Sequence, residues 1–251
     1  MNLCYNDDIV TLYNGDARDM SQLPDGFADM AFICPPWWDS GDYDHPDQIG
    51  LGQSYAAYLS SLEQVWRECY RCLKPGRAIV AWVSDLLWRD EPAPLVADTH
   101  HTLRQSGFVY DATFYWYEPR PSASETPSPG WPLQIRPRVH AEVVVVYRKP
   151  GSCAPPDRER LEKSRIDGRE YAGSRQAVWM PGGALDHPYR RVIRLWSYVG
   201  DTVLNPCAGQ GTVPLLARHE GRRCIAVELN PDYCLHIAEL LGAPDLPEEL
   251  R

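Results

Sequence analysis

The chain alternates short apolar runs with longer amphipathic stretches. Ile9-Val10-Thr11-Leu12-Tyr13 and Met30-Ala31-Phe32-Ile33 are apolar and bounded by turn residues, which predicts two buried strands. Residues 54–73 begin at Ser54, a helix-capping residue, and stop at Lys74-Pro75-Gly76. Within them Tyr55, Tyr58, Leu59, Leu62, Val65, Trp66, Cys69 and Leu73 recur at helical spacing. Residues 78–83 read as a strand, much of 93–106 as a helix ending before Gly107, and 108–117 and 141–147 as strands. Beyond residue 186 the pattern gives a helix over 187–199, a strand at 202–204 and a glycine-rich turn. A helix over 212–219, a strand at 224–228 and a helix over 231–241 with Pro231 at its start complete it. Strands alternating with helices imply a doubly wound α/β fold, a mostly parallel sheet covered on both faces.

Two stretches break this rhythm. Residues 119–137 are crowded with proline, with serine and glycine between, which excludes regular structure. Residues 150–178 are poor in apolar groups and rich in charge. Loops of that length in a compact domain are functional or disordered. The expectation is one domain over 1–251 with irregular insertions at 119–137 and 150–178.

Composition narrows the class. Hydrophobic residues make up 44% of the chain, which excludes wholesale disorder. No apolar run approaches the ~20 residues of a membrane span, and the first residues lack the basic and apolar regions of a signal peptide. A cytoplasmic protein with no membrane partner is expected. Eight irregularly spaced cysteines fit reduced thiols. Cys69 and Cys72 have C-x-x-C spacing but lie in the predicted helix with no second ligand pair, so no metal is expected. The net charge of −9 sits entirely in residues 1–50, which hold ten aspartates against Arg18; the rest is neutral.

Two elements carry candidate chemistry. Asn205-Pro206-Cys207-Ala208-Gly209-Gln210-Gly211-Thr212 places two glycines between a strand and a helix, where bare backbone can approach a ligand and unpaired helix N–H groups are exposed. Glu228 ends the next strand, where a doubly wound sheet puts a carboxylate to accept from ribose hydroxyls. Pro214 stands where a third glycine of the dinucleotide pattern would be. A cofactor without a pyrophosphate, such as S-adenosylmethionine, suits this turn better. The second element, Cys34-Pro35-Pro36-Trp37, follows the strand at 30–33. Two prolines end a strand rigidly and fix the carbonyls beside them, and a tryptophan presents a flat face. That arrangement suits a planar ring bearing an amino group.

In order along the chain, Gly15-Asp16-Ala17, Leu23-Pro24-Asp25-Gly26, Cys34-Pro35-Pro36-Trp37, Gln48-Ile49-Gly50-Leu51, Leu73-Lys74-Pro75-Gly76, Arg138-Val139-His140-Ala141-Glu142, His187-Pro188, Asn205 to Thr212 and Glu228-Leu229-Asn230-Pro231 resemble the motifs of amino-directed DNA methyltransferases. The catalytic motif precedes the cofactor turn, as in the permuted, beta-type order. The resemblance implies a seven-stranded, Rossmann-like fold that uses S-adenosylmethionine. Cys34, Pro35, Pro36 and Trp37 would hold an extruded DNA base, with Trp37 stacked on it and Cys34 and Pro35 orienting its exocyclic nitrogen. Asn205, Pro206, Cys207, Ala208, Gly209, Gly211 and Thr212 would line the cofactor, with Glu228, Leu229 and Asn230 at its ribose and Asp16 near its adenine. Three positions depart from the pattern: Cys34 replaces an acid, amide or serine, Asn205 an aspartate and Cys207 a phenylalanine. Cysteine resembles serine in size, and serine is common in N4-cytosine members, which favours N4-cytosine over N6-adenine. The alternatives are the same fold acting on RNA or a protein amide, and a relative that binds DNA without turnover.

An acidic DNA-binding protein needs basic groups placed locally. Candidates are Arg120, Arg136, Arg138, Arg148 and Lys149; Arg158, Arg160, Lys163, Arg165, Arg169 and Arg175; and Arg190, Arg191 and Arg194, with Trp131 as a wedge. The segments are short for a recognition domain, so either the site read is short or a second subunit, in a homodimer, completes it.

Overall fold

The computed structural model describes residues 1–86, 92–118, 141–181, 187–243, 247 and 250. In chain order they form β1 (Asn2–Asn6), β2 (Val10–Asn14), β3 (Ala28–Ile33), α1 (Tyr55–Cys72), β4 (Leu73–Val83), α2 (Leu95–Gln105), β5 (Val109–Tyr117) and β6 (Ala141–Arg148). Then follow α3 (Arg158–Lys163), α4 (Gly168–Ser174), β7 (Val178–Trp179), α5 (Pro188–Trp196), β8 (Thr202–Asn205), α6 (Thr212–His219), β9 (Arg223–Glu228) and α7 (Pro231–Gly242). The strands make one sheet in the order β1-β2-β9-β8-β3-β4-β6-β5-β7. The run from β2 to β4 is parallel throughout, and β6 enters antiparallel between β4 and β5.

The central strands are apolar on both faces because both faces are covered. Every residue of β3 is buried. Its Ala31 and Ile33 pack with α1 and α2 residues such as Leu62, Trp66 and Leu103. Its Met30 and Phe32 pack on the other side with Val192, Leu216 and Ile237 of α5, α6 and α7. The result is a three-layer sandwich, as the apolar runs predicted. Ser54 caps α1 by accepting from the Ala57 amide at 3.3 Å, a contact worth about 1 kcal/mol.

Three expectations need correction. The sheet has nine strands rather than seven, because β1 extends one edge as a hairpin with β2 and the two-residue β7 extends the other beside β5. β1 escapes sequence reading because it is mostly exposed, Leu3 included, and only Tyr5 packs against the core. The stretch 150–178 is not wholly irregular. It carries α3 and α4, capped by Asp157 and Asp167, whose carboxylates accept from the Arg160 amide and from the Arg169 and Glu170 amides. Finally, β4 starts directly at Leu73 and runs through Pro75-Gly76, where Gly76 takes φ 78°. Residues 119–137, with Trp131, Arg120 and Arg136, lie outside the described residues, as do Arg138 and His140.

The topology fixes where a ligand belongs. β8 leads through α6 to β9 on one side, while β3 leads through α1 to β4 on the other, and α6 and α1 lie on opposite faces. The adjacent carboxyl ends of β8 and β3 therefore form a switch point, the place where an open α/β sheet leaves a crevice.

Candidate functional site

The crevice is occupied by the two sequence elements singled out above. Cys34-Pro35-Pro36 leaves the end of β3 and Asn205-Pro206 leaves the end of β8 beside it. The Asn205 side chain bridges them, its Nδ2 donating to the Phe32 carbonyl at 2.8 Å. Between them opens a cavity of about 350 Å³. Asp16, Cys34, Pro35, Pro36, Trp37, Asn205, Pro206, Cys207, Ala208, Gly209, Thr212, Glu228, Leu229 and Asn230 all line it. Residues from opposite ends of the chain thus meet around one space.

Gly211 does not line the cavity. It sits at the start of α6 with φ 87°, and a Cβ there would come within 3.0 Å of Ile237. Its role is to turn the chain and let α7 pack close. Gly209 differs: its φ is 54°, and a Cβ would meet nothing within 4 Å, so the turn is open on the cavity side.

Glu228 closes the turn from below. Its Oε2 accepts from the Gly209 amide at 2.7 Å and its Oε1 from the Asn230 amide at 2.9 Å. Burial raises its carboxyl above the ordinary glutamate range, and the amide contacts from Asn230 and Gly209 oppose that rise. Each oxygen keeps a second lone pair for a hydroxyl donor. At the other end, Asn205 is 1% exposed and its Oδ1 has no partner among the described residues. An orphaned buried acceptor costs about 1–3 kcal/mol, and a cationic donor there relieves it. Asp16 lines the cavity, but its carboxylate is forked by Arg18, with Nη2 to Oδ2 at 2.6 Å and Nε to both oxygens.

The base end is set by the two prolines. The Pro36 carbonyl accepts from the Tyr58 hydroxyl at 2.8 Å. The Pro35 carbonyl, on a buried residue that lines the cavity, accepts no hydrogen bond among the described residues. Cys34 is a thiol: burial pushes it to about 11, and a hydrogen bond with Tyr189 only partly offsets that.

Sequence reading missed Tyr43, His45, Gln48 and Tyr189, which also line the cavity. The first three belong to the acidic stretch after Trp38, which folds back as a strap. The Tyr43 hydroxyl accepts from the Trp37 amide, its carbonyl accepts from Asn230 Nδ2 at 2.7 Å, and its amide donates to Gln48 Oε1. Arg18 Nη2 donates to the Asp47 carbonyl at 2.9 Å. The signal was present in Gln48-Ile49-Gly50: Gly50 has φ 112°, and a Cβ would strike the Trp38 carbonyl at 2.4 Å.

The comparisons agree with this geometry. A family described as DNA methylase, N6/N4 type, matches residues 28–185 and 186–239. The chain belongs to that family. It is 23% identical to the type II methyltransferase M.XycI of Xanthomonas campestris pv. cyanopsidis, over 92% of this chain and 87% of that one. Among solved structures it resembles TTHA0409 from Thermus thermophilus complexed with S-adenosyl-L-methionine. That match has 31% identity and TM-score 0.76, and covers 91% of this chain and 92% of that one. The cytosine-N4-specific PvuII DNA methyltransferase shares the fold at 18% identity and TM-score 0.69, covering 99% of this chain and 92% of that one. The methylase uses S-adenosylmethionine, and the cavity fits it: an unpartnered acceptor at Asn205, an open glycine turn, and a carboxylate at the end of β9.

The basic residues are mostly committed elsewhere. Arg148 pairs with Asp111, Arg160 with Asp201, and Arg190 and Arg194 with Glu220. Lys149 donates to the Tyr70 and Leu73 carbonyls, and Arg191 lies over the Trp179 ring. Lys163 and Arg165 pair within α3 and just beyond it. Because Asp201 precedes β8, Arg160 ties α3 to the amino end of the sheet, away from the cavity. Arg158, Arg169 and Arg175 are exposed and form no salt bridge among the described residues.

Proposed function

We propose that this methylase transfers a methyl group to the exocyclic amino nitrogen of a base swung out of duplex DNA, N4 of cytosine in preference to N6 of adenine. The observation that carries the reading is the unpaired Pro35 carbonyl on the same cavity as the glycine turn. A carbonyl fixed by two prolines accepts one amino hydrogen and turns the nitrogen lone pair toward the cofactor end. A base stacked in a duplex cannot reach that carbonyl, so it must leave the stack. Trp37 offers the stacking face, Glu228 holds ribose hydroxyls, and Asn205 Oδ1 receives the ammonium. The bound cofactor supplies a methyl group already activated by its sulfonium. The chain's contribution is then chiefly alignment.

Cys34 favours cytosine through its serine-like size. No helix of the described residues is long and apolar enough to cross a membrane. A DNA substrate puts the work of the protein in the cytoplasm. Phosphate contacts fall to Arg169, Arg175 and the basic groups of 119–140, with a second copy of the chain widening the contact. Digestion of methylated DNA product to nucleosides tests the base. N4-methylcytosine is the expected product, and N6-methyladenine alone would overturn the cytosine assignment.

A further inference from the structure

A second hollow of about 390 Å³ adjoins the cofactor cavity and shares Tyr189 and Thr212 with it. Trp82, Trp116, Glu142 and His187 are among its walls. The sheet puts these groups together. Trp82 on β4 pairs with Val144 on β6, and Glu142 is two residues before Val144, so Trp82 and Glu142 project from one face. Trp116 of β5 pairs directly with Glu142. Cys34 packs on this same side of the sheet, one residue beyond the Ile33–Ala81 pair and so beside Trp82. The Tyr189 ring touches Trp82, with centroids 4.9 Å apart, and Tyr189 lines the cofactor cavity together with Cys34.

Glu142 is a half-buried carboxylate in an aromatic hollow. One oxygen accepts from the Trp82 indole N–H. Its other oxygen has no partner among the described residues. Opposite in kind is His187, whose Nδ1 accepts from the Tyr189 amide at 3.3 Å, leaving the ring proton on Nε2. Burial, then Arg190, lowers its pKa, so the ring is neutral near pH 7. The hollow thus holds an acceptor and a donor between flat rings. The amino-bearing edges of cytosine and adenine each present a donor beside a ring-nitrogen acceptor.

We propose that Glu142, in the hollow adjoining the cofactor cavity, takes the amino hydrogen that the Pro35 carbonyl does not, and is the acceptor that Cys34 cannot be. This rests on the amino-methylation reading above. The nitrogen lone pair forms the bond to the methyl carbon, and the carbon–sulfur pair returns to sulfur. The nitrogen then sheds one proton, which passes to the Glu142 carboxylate and on to water.

The test uses the full chain with S-adenosylmethionine and amplified, unmodified DNA. Glu142→Gln keeps an oxygen for the Trp82 indole, so the fold should hold and cofactor affinity should stay within about twofold. Removing the carboxyl acceptor should lower kcat about a hundredfold. Adding Cys34→Ser to Glu142→Gln, which returns a hydroxyl to position 34, should recover part of that loss. A kcat within threefold of wild type, or a loss of cofactor affinity as large as the loss of kcat, would overturn the inference. A wild-type chain that methylates no DNA would instead sink the proposed function, and the inference with it.

Discussion

The amide of Gly209 donates to Glu228 Oε2 at 2.7 Å, so the turn after β8 is braced by the carboxylate that ends β9. One residue therefore shapes the cofactor turn and offers acceptors to the cofactor.

The first prediction follows from that double duty. Burial raises the Glu228 carboxyl, so the folded chain holds this proton to higher pH than the unfolded chain, where glutamate titrates near ~4.3. As pH rises from there through the raised value, ionisation of a buried group removes stability from the apo protein. The same ionisation creates the ribose acceptor, so S-adenosylmethionine affinity should rise over that window. Calorimetric titration across mildly acidic pH checks this. Glu228→Gln should flatten the profile and weaken binding at neutral pH by tenfold or more, about 1.4 kcal/mol. A variant with the wild-type profile would count against the role.

The two glycines of the turn should separate stability from binding. Gly211→Ala places a methyl 3.0 Å from Ile237 at φ 87°, which should cost about 1–3 kcal/mol of folding stability. Gly209→Ala meets no atom of the described residues, so its cost is the backbone strain alone, about 1–2 kcal/mol. Its methyl enters open space beside the cofactor turn, so it should lose more affinity than Gly211→Ala. Thermal denaturation and cofactor titration of the two variants give the comparison.

Cys34 should be chemically quiet. With its thiol raised to about 11, almost none is thiolate at neutral pH, and a covalent role has no nucleophile to use. Cys34→Ser should keep methyl transfer within a few-fold of wild type. Loss of all transfer, or trapping of a protein–DNA adduct through Cys34, would contradict this.

How much of this was legible in the sequence depends on burial. β3, β4, β8 and β9 were readable because both faces are buried, leaving near-continuous apolar runs. β1 and α3 have no fully buried residue, so no periodicity marks them; for α3 the remaining sign was Asp157 at its cap. The cofactor turn and Cys34-Pro35-Pro36-Trp37 were visible as motifs, and all but Gly211 line one cavity. Tyr189 was hidden because it reaches the site only through the packing of α5 against Phe32 and Trp82. The aspartate block proved to be mostly local bracing. Asp7 accepts from the Ile9 and Val10 amides, Asp25 pairs with Arg71, Asp29 with Lys74, and Asp39 accepts from the Gly52 amide. Its net charge therefore says little about DNA.

Incubation with S-adenosylmethionine tritiated on the methyl group, in parallel with unmodified duplex DNA, RNA and protein, tests the central claim most directly. The label should enter the DNA and stay out of the other two. Label in RNA or protein with none in DNA would contradict the account.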